Sequence, residues 1–171
     1  IKWRAEDVIR LPYDREKAVD YAHRWAFLRN PRYGAFDEIG GDCTNFISQC
    51  LFAGCGQMNP TPHTGWYFYS MQKRSPSWTS VFFLHRFLIE NRGLGPYAMR
   101  APLEEARPGD VLQLAFVEHR FTHSLLVVQA ADPPDVGSIL VAAHTIDSDF
   151  RPLRTYPFEE ARLLSILGSR G

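Results

Sequence analysis

An α+β fold, with N-terminal helices packed on a C-terminal antiparallel sheet, follows from three features of the chain. Apolar residues recur with helical period up to about residue 91. After Pro108-Gly109-Asp110 the pattern shifts to short β-rich runs. The helical part precedes the strands instead of alternating with them, which argues against parallel βαβ units. At 171 residues, 45% of them hydrophobic, the chain suits one well-packed domain over residues 1–171.

Each element has its own signal. Asp14 to about Arg29 reads as a helix: Asp14 caps it, Ala18, Ala22, Trp25 and Ala26 share a face, and Pro31 closes it. A second helix runs from Cys43 to about Ala53, with Asp42 as its cap and Gly54 as its stop. Its residues Cys43, Phe46, Ile47, Cys50 and Leu51 form one apolar stripe. Gly56 to Ser77 is irregular and carries Pro60, Pro62 and Pro76 beside the aromatic run Trp66 to Tyr69. A third helix, about Ser80 to Asn91, turns Val81, Phe82, His85, Leu88 and Ile89 inward. Strands are expected at Val111–Val117, Phe121–Gln129, Ser138–His144 and Arg162–Leu167. Leu125 to Val128 is apolar on both faces, as in a central strand.

Composition excludes several classes. Nineteen basic and nineteen acidic residues cancel, so no global field draws nucleic acid or an anionic surface. No apolar run approaches the roughly 20 residues of a membrane span. The chain opens on Ile1 and not on Met, which suggests a preceding segment. Cys43, Cys50 and Cys55 lack Cys-x-x-Cys spacing and are too few for a disulfide framework, so zinc-ribbon and dithiol chemistry are not expected.

Cys43 is the residue with chemical promise. Two glycines lead into it and a helix starts at it, where amide dipoles and free N–H groups stabilise a thiolate. A nucleophilic cysteine also needs a base. Of six histidines, His23 and His85 fall on helices, His63 in the proline-rich loop and His119 in a tight turn. His123 and His144 differ, because a hairpin centred between Pro133 and Pro134 sets them directly opposite each other. Opposed residues share a face with Cβ atoms about 5 Å apart, so one ring could take the thiol proton while the other orients it. A slip of one residue would put them on opposite faces. Asp147 is the competing orienter. A zinc reading of His119, His123, His144, Asp147 and Asp149 conflicts with context, since His-x-x-x-His is a helical spacing and this segment reads as turn and strand. No metal or other cofactor is expected.

Tyr13-Asp14-Arg15, Tyr21-Ala22, Gly40-Gly41-Asp42-Cys43-Thr44-Asn45-Phe46, Trp66-Tyr67, Ser77-Trp78-Thr79, Pro108-Gly109-Asp110, Thr122-His123-Ser124 and Ala142-Ala143-His144-Thr145 together resemble a bacterial amidase-domain family. That family is similar to the papain-like group that holds the NlpC-type and CHAP cell-wall peptidases and amidases. The resemblance implies a papain-like fold in which the cysteine opens a helix packed on an antiparallel sheet. It implies Cys43 as nucleophile, His123 as base and acid, His144 as the third polar residue and Tyr33 as a substrate or oxyanion contact. It also implies a peptide or peptidoglycan-fragment substrate; the expected location is secreted or cell-envelope, with the cytoplasm as the alternative. The glutamine that papain-type enzymes place before the cysteine is absent.

The expected reaction is amide hydrolysis through a thioester. An acyltransferase using the same thioester and a catalytically silent binding module are the alternatives. Trp66 and Tyr67 either line a substrate cleft or cover the core. Asp42 either caps the helix or grips a substrate amine.

Overall fold

The computed structural model describes residues 9–171. Its frame is a seven-stranded sheet built from β1 (Arg10–Leu11), β4 (Gly95–Ala101), β5 (Val111–Val117), β6 (Arg120–Gln129), β7 (Leu140–Ala143), β8 (Ser148–Pro152) and β9 (Glu160–Arg170). The order is β1-β9-β5-β6-β7-β8, with β4 also paired to β9, and every pairing is antiparallel. A small hairpin, β2 (Phe68–Ser70) with β3 (Lys73–Arg74), stands apart. The helices are α1 (Arg15–Trp25), α2 (Cys43–Cys55), the single turn α3 (Pro76–Thr79) and α4 (Val81–Glu90). The α+β class with helices preceding most of an antiparallel sheet therefore holds.

The apolar surface divides along the pleat of β6. Leu126 and Val128 face α1, α2 and α4, in a core with Phe46, Ile47, Leu51, Trp66, Trp78 and Leu88. Leu125 and Val127 face a second core with Leu112, Leu114, Leu153, Tyr156 and Leu163, roofed by irregular chain. Alternation along one strand thus feeds two hydrophobic layers.

Local chemistry explains most element limits. Asp14 accepts a hydrogen bond from the Lys17 N–H at 3.0 Å and starts α1, as expected. Ser80 does the same for α4 through the Phe83 N–H. α1 stops four residues short of Arg29. α2 runs past Gly54 to Cys55 and ends where Gly56 takes the left-handed conformation, φ 67°. Gly54 lies inside the helix because Tyr13 packs against it; an added Cβ would fall 2.5 Å from the Tyr13 ring and 2.9 Å from the Asp14 carbonyl. From Asp42 to Leu51 every residue of α2 is buried, so the expected single stripe is in fact burial all round.

Three expectations need correction. α4 turns Leu84, Phe87 and Leu88 inward and leaves Phe82 and Phe83 exposed, a rotation of the assumed face. β4 and β8 were not foreseen. Gly95-Pro96 at the start of β4 conceals an edge strand, where proline is tolerated. Most consequential is the β6–β7 hairpin. Leu126 pairs with Ala142 and Val127 with Val141, which centres it on Pro134. His144 then continues the face of Leu126 and Ser124, and His123 continues the face of Leu125. The two imidazoles lie on opposite faces of the sheet.

Candidate active site

Cys43 is the first residue of α2. The loop before it closes on itself: the Gly41 N–H donates to the Phe36 carbonyl, and the Phe36 N–H donates to Asp42 Oδ1 at 2.8 Å. Gly40 and Gly41 carry φ values of 88° and 100°, a conformation that excludes most side chains. The strand side of the site is β6. Thr44 Oγ1 lies 3.0 Å from Ser124 Oγ, and Ser124 also accepts from Gln113 Nε2. The Ser124 backbone N–H lies near enough to the Cys43 sulfur to favour its thiolate. It is free to do so because β7 pairs with β6 only from Leu126 onward, leaving this stretch of the strand edge open.

Two influences oppose each other at the sulfur. Burial pushes the Cys43 thiol above its ordinary range, and the negative charge of Asp42 adds to that push. The Ser124 N–H and the Thr44 hydroxyl and N–H pull the other way. Burial wins, so the helix start does not produce a resting thiolate, contrary to the sequence-based expectation. A nucleophilic role for this sulfur would require a group that takes its proton.

His123 is one residue from the Ser124 amide. Its ring is buried on the far face of β6, with Phe116 and Tyr156 at centroid distances of 6.4 and 5.8 Å. Burial, helped by the Arg151 charge, lowers its pKa to about 4. The imidazole is therefore neutral at pH 7. The ring and the Thr44–Ser124 contact lie on opposite faces of β6, and no hydrogen bond joins His123 to the Cys43 sulfur among the described residues.

His144 has a different environment from the one expected. It stacks on Phe46 at 3.9 Å, sits 2.5 Å from Asp42 Oδ2 through Nδ1, and 2.8 Å from the Trp25 carbonyl through Nε2. Both ring nitrogens are occupied and neither faces His123. His144 is accordingly not its orienter. Asp147 is not one either, because both its oxygens take the Arg29 guanidinium, at 3.0 and 2.8 Å. Sequence reasoning missed Arg29, which also binds Asp37 at 2.7 Å and reaches Asp42 at 3.5 Å. Only the fold brings these positions together.

The four expected substrate contacts fare as follows. Asp42 is fully buried and makes no side-chain cap; its oxygens go to Phe36, Asn45 and His144. It closes the loop and does not reach a substrate. Tyr33 stacks on Trp78 in the core. Trp66 is fully buried, with its indole N–H donating to Ser48 Oγ. Tyr67 is buried as well, though it lines a cleft of about 440 Å³ with Pro60, Pro62, His63, Tyr69 and Lys73.

The suspected zinc shell is dispersed. Asp149 pairs with His23 and Asp147 with Arg29, while His119 lies between Glu118 and Glu160 at the exposed β5–β6 turn. Those last three are the sole His/Cys/Asp/Glu trio with closely grouped ligand atoms among the described residues. The His119 ring nitrogens already lie 3.4 Å from Glu118 and 2.9 Å from Glu160. No helix among the described residues is long and apolar enough to cross a membrane.

Comparison with known proteins bears on the chemistry. The chain is 40% identical over 144 residues to the uncharacterized protein YhbB of Bacillus subtilis (strain 168). That match takes in 81% of this chain and 43% of YhbB, so the chain spans less than half of that relative's length. No solved structure matches. Residues 12–166, nearly the whole described fold, match the family described as "Putative amidase domain". With its glycine-flanked cysteine at a helix start and its open strand edge beside it, the chain belongs to this amidase-domain family, which points to amide hydrolysis.

Proposed function

We propose that the protein hydrolyses an amide bond with Cys43 as nucleophile and His123 as general base. One observation carries this reading: the first turn of α2, which bears Cys43, meets β6 where Thr44 Oγ1 lies 3.0 Å from Ser124 Oγ, one residue along the chain from the neutral imidazole of His123. A thiol raised by burial and an imidazole kept neutral suit general-base activation better than a preformed ion pair. His123 turns about its side-chain torsions toward the open edge of β6 and takes the thiol proton as sulfur attacks the carbonyl. The carbon–nitrogen bond breaks, His123 returns that proton to the leaving amine, and a thioester remains. Water, deprotonated by the same ring, then releases the acid. The Cys43 backbone N–H, in the first turn of α2 and without an intrahelical acceptor, serves the developing oxyanion.

His144 and Asp42 hold the nucleophile's helix in this scheme. The open strand edge suits an extended peptide, and we assign the substrate to cell-wall peptide or a related amide. A helix-borne cysteine on an antiparallel sheet is also the layout of the papain-like enzymes, to which we relate the fold. Incubation with soluble peptidoglycan fragments, read by mass spectrometry for new amine and acid termini, tests the reading. Wild type should cleave and Cys43→Ala should not, with both variants equally folded. Equal cleavage by the two proteins would overturn it.

A further inference from the structure

The far face of β6 sets a buried polar group without a well-formed hydrogen bond beside the His123 ring. Tyr156 is 7% exposed, and its hydroxyl is buried with no hydrogen-bond partner among the described residues. Nearly all buried polar atoms are satisfied in folded proteins, and an orphan costs about 1–3 kcal/mol. Its two nearest polar neighbours, Ser148 and Arg151, act on the hydroxyl but form no well-aligned hydrogen bond with it, and each is bonded elsewhere. Ser148 Oγ donates to the Ile146 carbonyl at 2.9 Å, and the Arg151 Nε donates to Thr155 Oγ1 at 2.8 Å. The centroid of the His123 imidazole lies 5.8 Å from that of Tyr156, with 47° between the planes.

The Tyr156 ring is itself well fixed. It belongs to the apolar layer of Leu125 and Leu153, and the Arg151 guanidinium lies 3.7 Å over its face. A cation at that distance holds an aromatic ring without using its hydroxyl. The hydroxyl is thus held in place without a well-formed hydrogen bond, next to the His123 ring.

We infer that Tyr156 is the positioning residue of His123, filling the place that neither His144 nor Asp147 can take. The inference rests on the reading of His123 as the base. As the ring turns toward Cys43, the nitrogen left facing the second core carries the proton and donates it in a hydrogen bond to Tyr156 Oη. The other nitrogen then keeps its lone pair toward the sulfur. A neutral imidazole has one donor and one acceptor nitrogen, so a partner at one nitrogen decides which tautomer is present.

The test compares wild type, Tyr156→Phe and His123→Ala. Phenylalanine keeps the ring and its contact with Arg151 and removes only the unpartnered oxygen. The melting temperature of Tyr156→Phe should accordingly stay level or rise. Two further readouts are iodoacetamide alkylation of Cys43 against pH, and the His123 tautomer from long-range proton–nitrogen spectra of histidine-labelled protein. His123→Ala should slow alkylation near neutral pH. Tyr156→Phe should slow it roughly tenfold, the worth of one hydrogen bond to the ring, and should change a single His123 tautomer into a mixture. Wild-type alkylation and a wild-type tautomer in Tyr156→Phe, with His123→Ala slowed, would overturn this inference alone. An unslowed His123→Ala would overturn the base assignment and the inference with it.

Discussion

At Cys43 the decisive contest is between burial and hydrogen bonding, and burial prevails. The consequence is a resting pair of thiol and imidazole, both uncharged at neutral pH. His123 must be neutral to accept a proton, and with its pKa lowered to about 4 it stays so far into the acid range. The pH profile of kcat/KM should therefore be flat from pH 7 to about 5 and fall near pH 4 as the imidazole takes its proton. An acid limb centred near the ordinary histidine value of 6.5 would show that His123 is not the group reported. Cys50 and Cys55 make useful internal controls, since burial drives both thiols upward, Cys55 to about 11.

Among the elements, α2 carries the cysteine and has almost no solvent face, so its surroundings are set by packing and not by propensity. Gly54 is the clearest case. Alanine there would gain up to about 1 kcal/mol of helix propensity, yet its Cβ would meet the Tyr13 ring at 2.5 Å and the Asp14 backbone at 2.9 Å. Tyr13 cannot retreat freely, because its hydroxyl donates to the Gly109 carbonyl at 2.7 Å. Overpacking should win, and Gly54→Ala should lose about 2 kcal/mol net, seen as a lower urea midpoint. A stabilised variant would mean that the α1 approach is softer than the structure implies. The β6–β7 hairpin makes a related point. Its one-residue difference in register separates His123 from His144, because side chains alternate with period two. The loop at Ala130 to Gly137 does not reveal its own geometry, and pairing of Leu126 with Ala142 on the helix side decides the outcome.

Across the whole molecule, Arg29 joins segments that are distant in sequence: the loop before Cys43 through Asp37 and Asp42, and the β7–β8 turn through Asp147. Asp42 is buried, and removing Arg29 takes away the guanidinium beside it and leaves only its Phe36, Asn45 and His144 partners, while Asp37 and Asp147 lose theirs. Arg29→Ala should cost about 3 kcal/mol, measured by thermal or urea unfolding; a change below 0.5 kcal/mol, on the order of a surface pair, would show the network to be incidental. Stability should also depend on acid through His85 and His123, both lowered to about 4 by burial. Each folded-state pKa lies below the unfolded value near 6.5, so the unfolded chain binds more protons in between. Stability from this source is present above pH 6.5 and is lost as pH falls toward 4. Melting temperatures across that window should decline, and His123→Gln should flatten part of the slope.

Local signals in the sequence determined the α+β class, the cap at Asp14, the limits of β5 and the placing of Cys43 at a helix start, because capping, periodicity and turn chemistry act within a few residues. Tertiary structure alone decided which face each histidine takes, how Asp42 is used, and that Trp66 and Tyr33 belong to the core. Those outcomes depend on strand register and on contacts between residues a hundred positions apart. A single shifted pairing exchanges the two faces of a strand, and nothing in the local sequence opposes it.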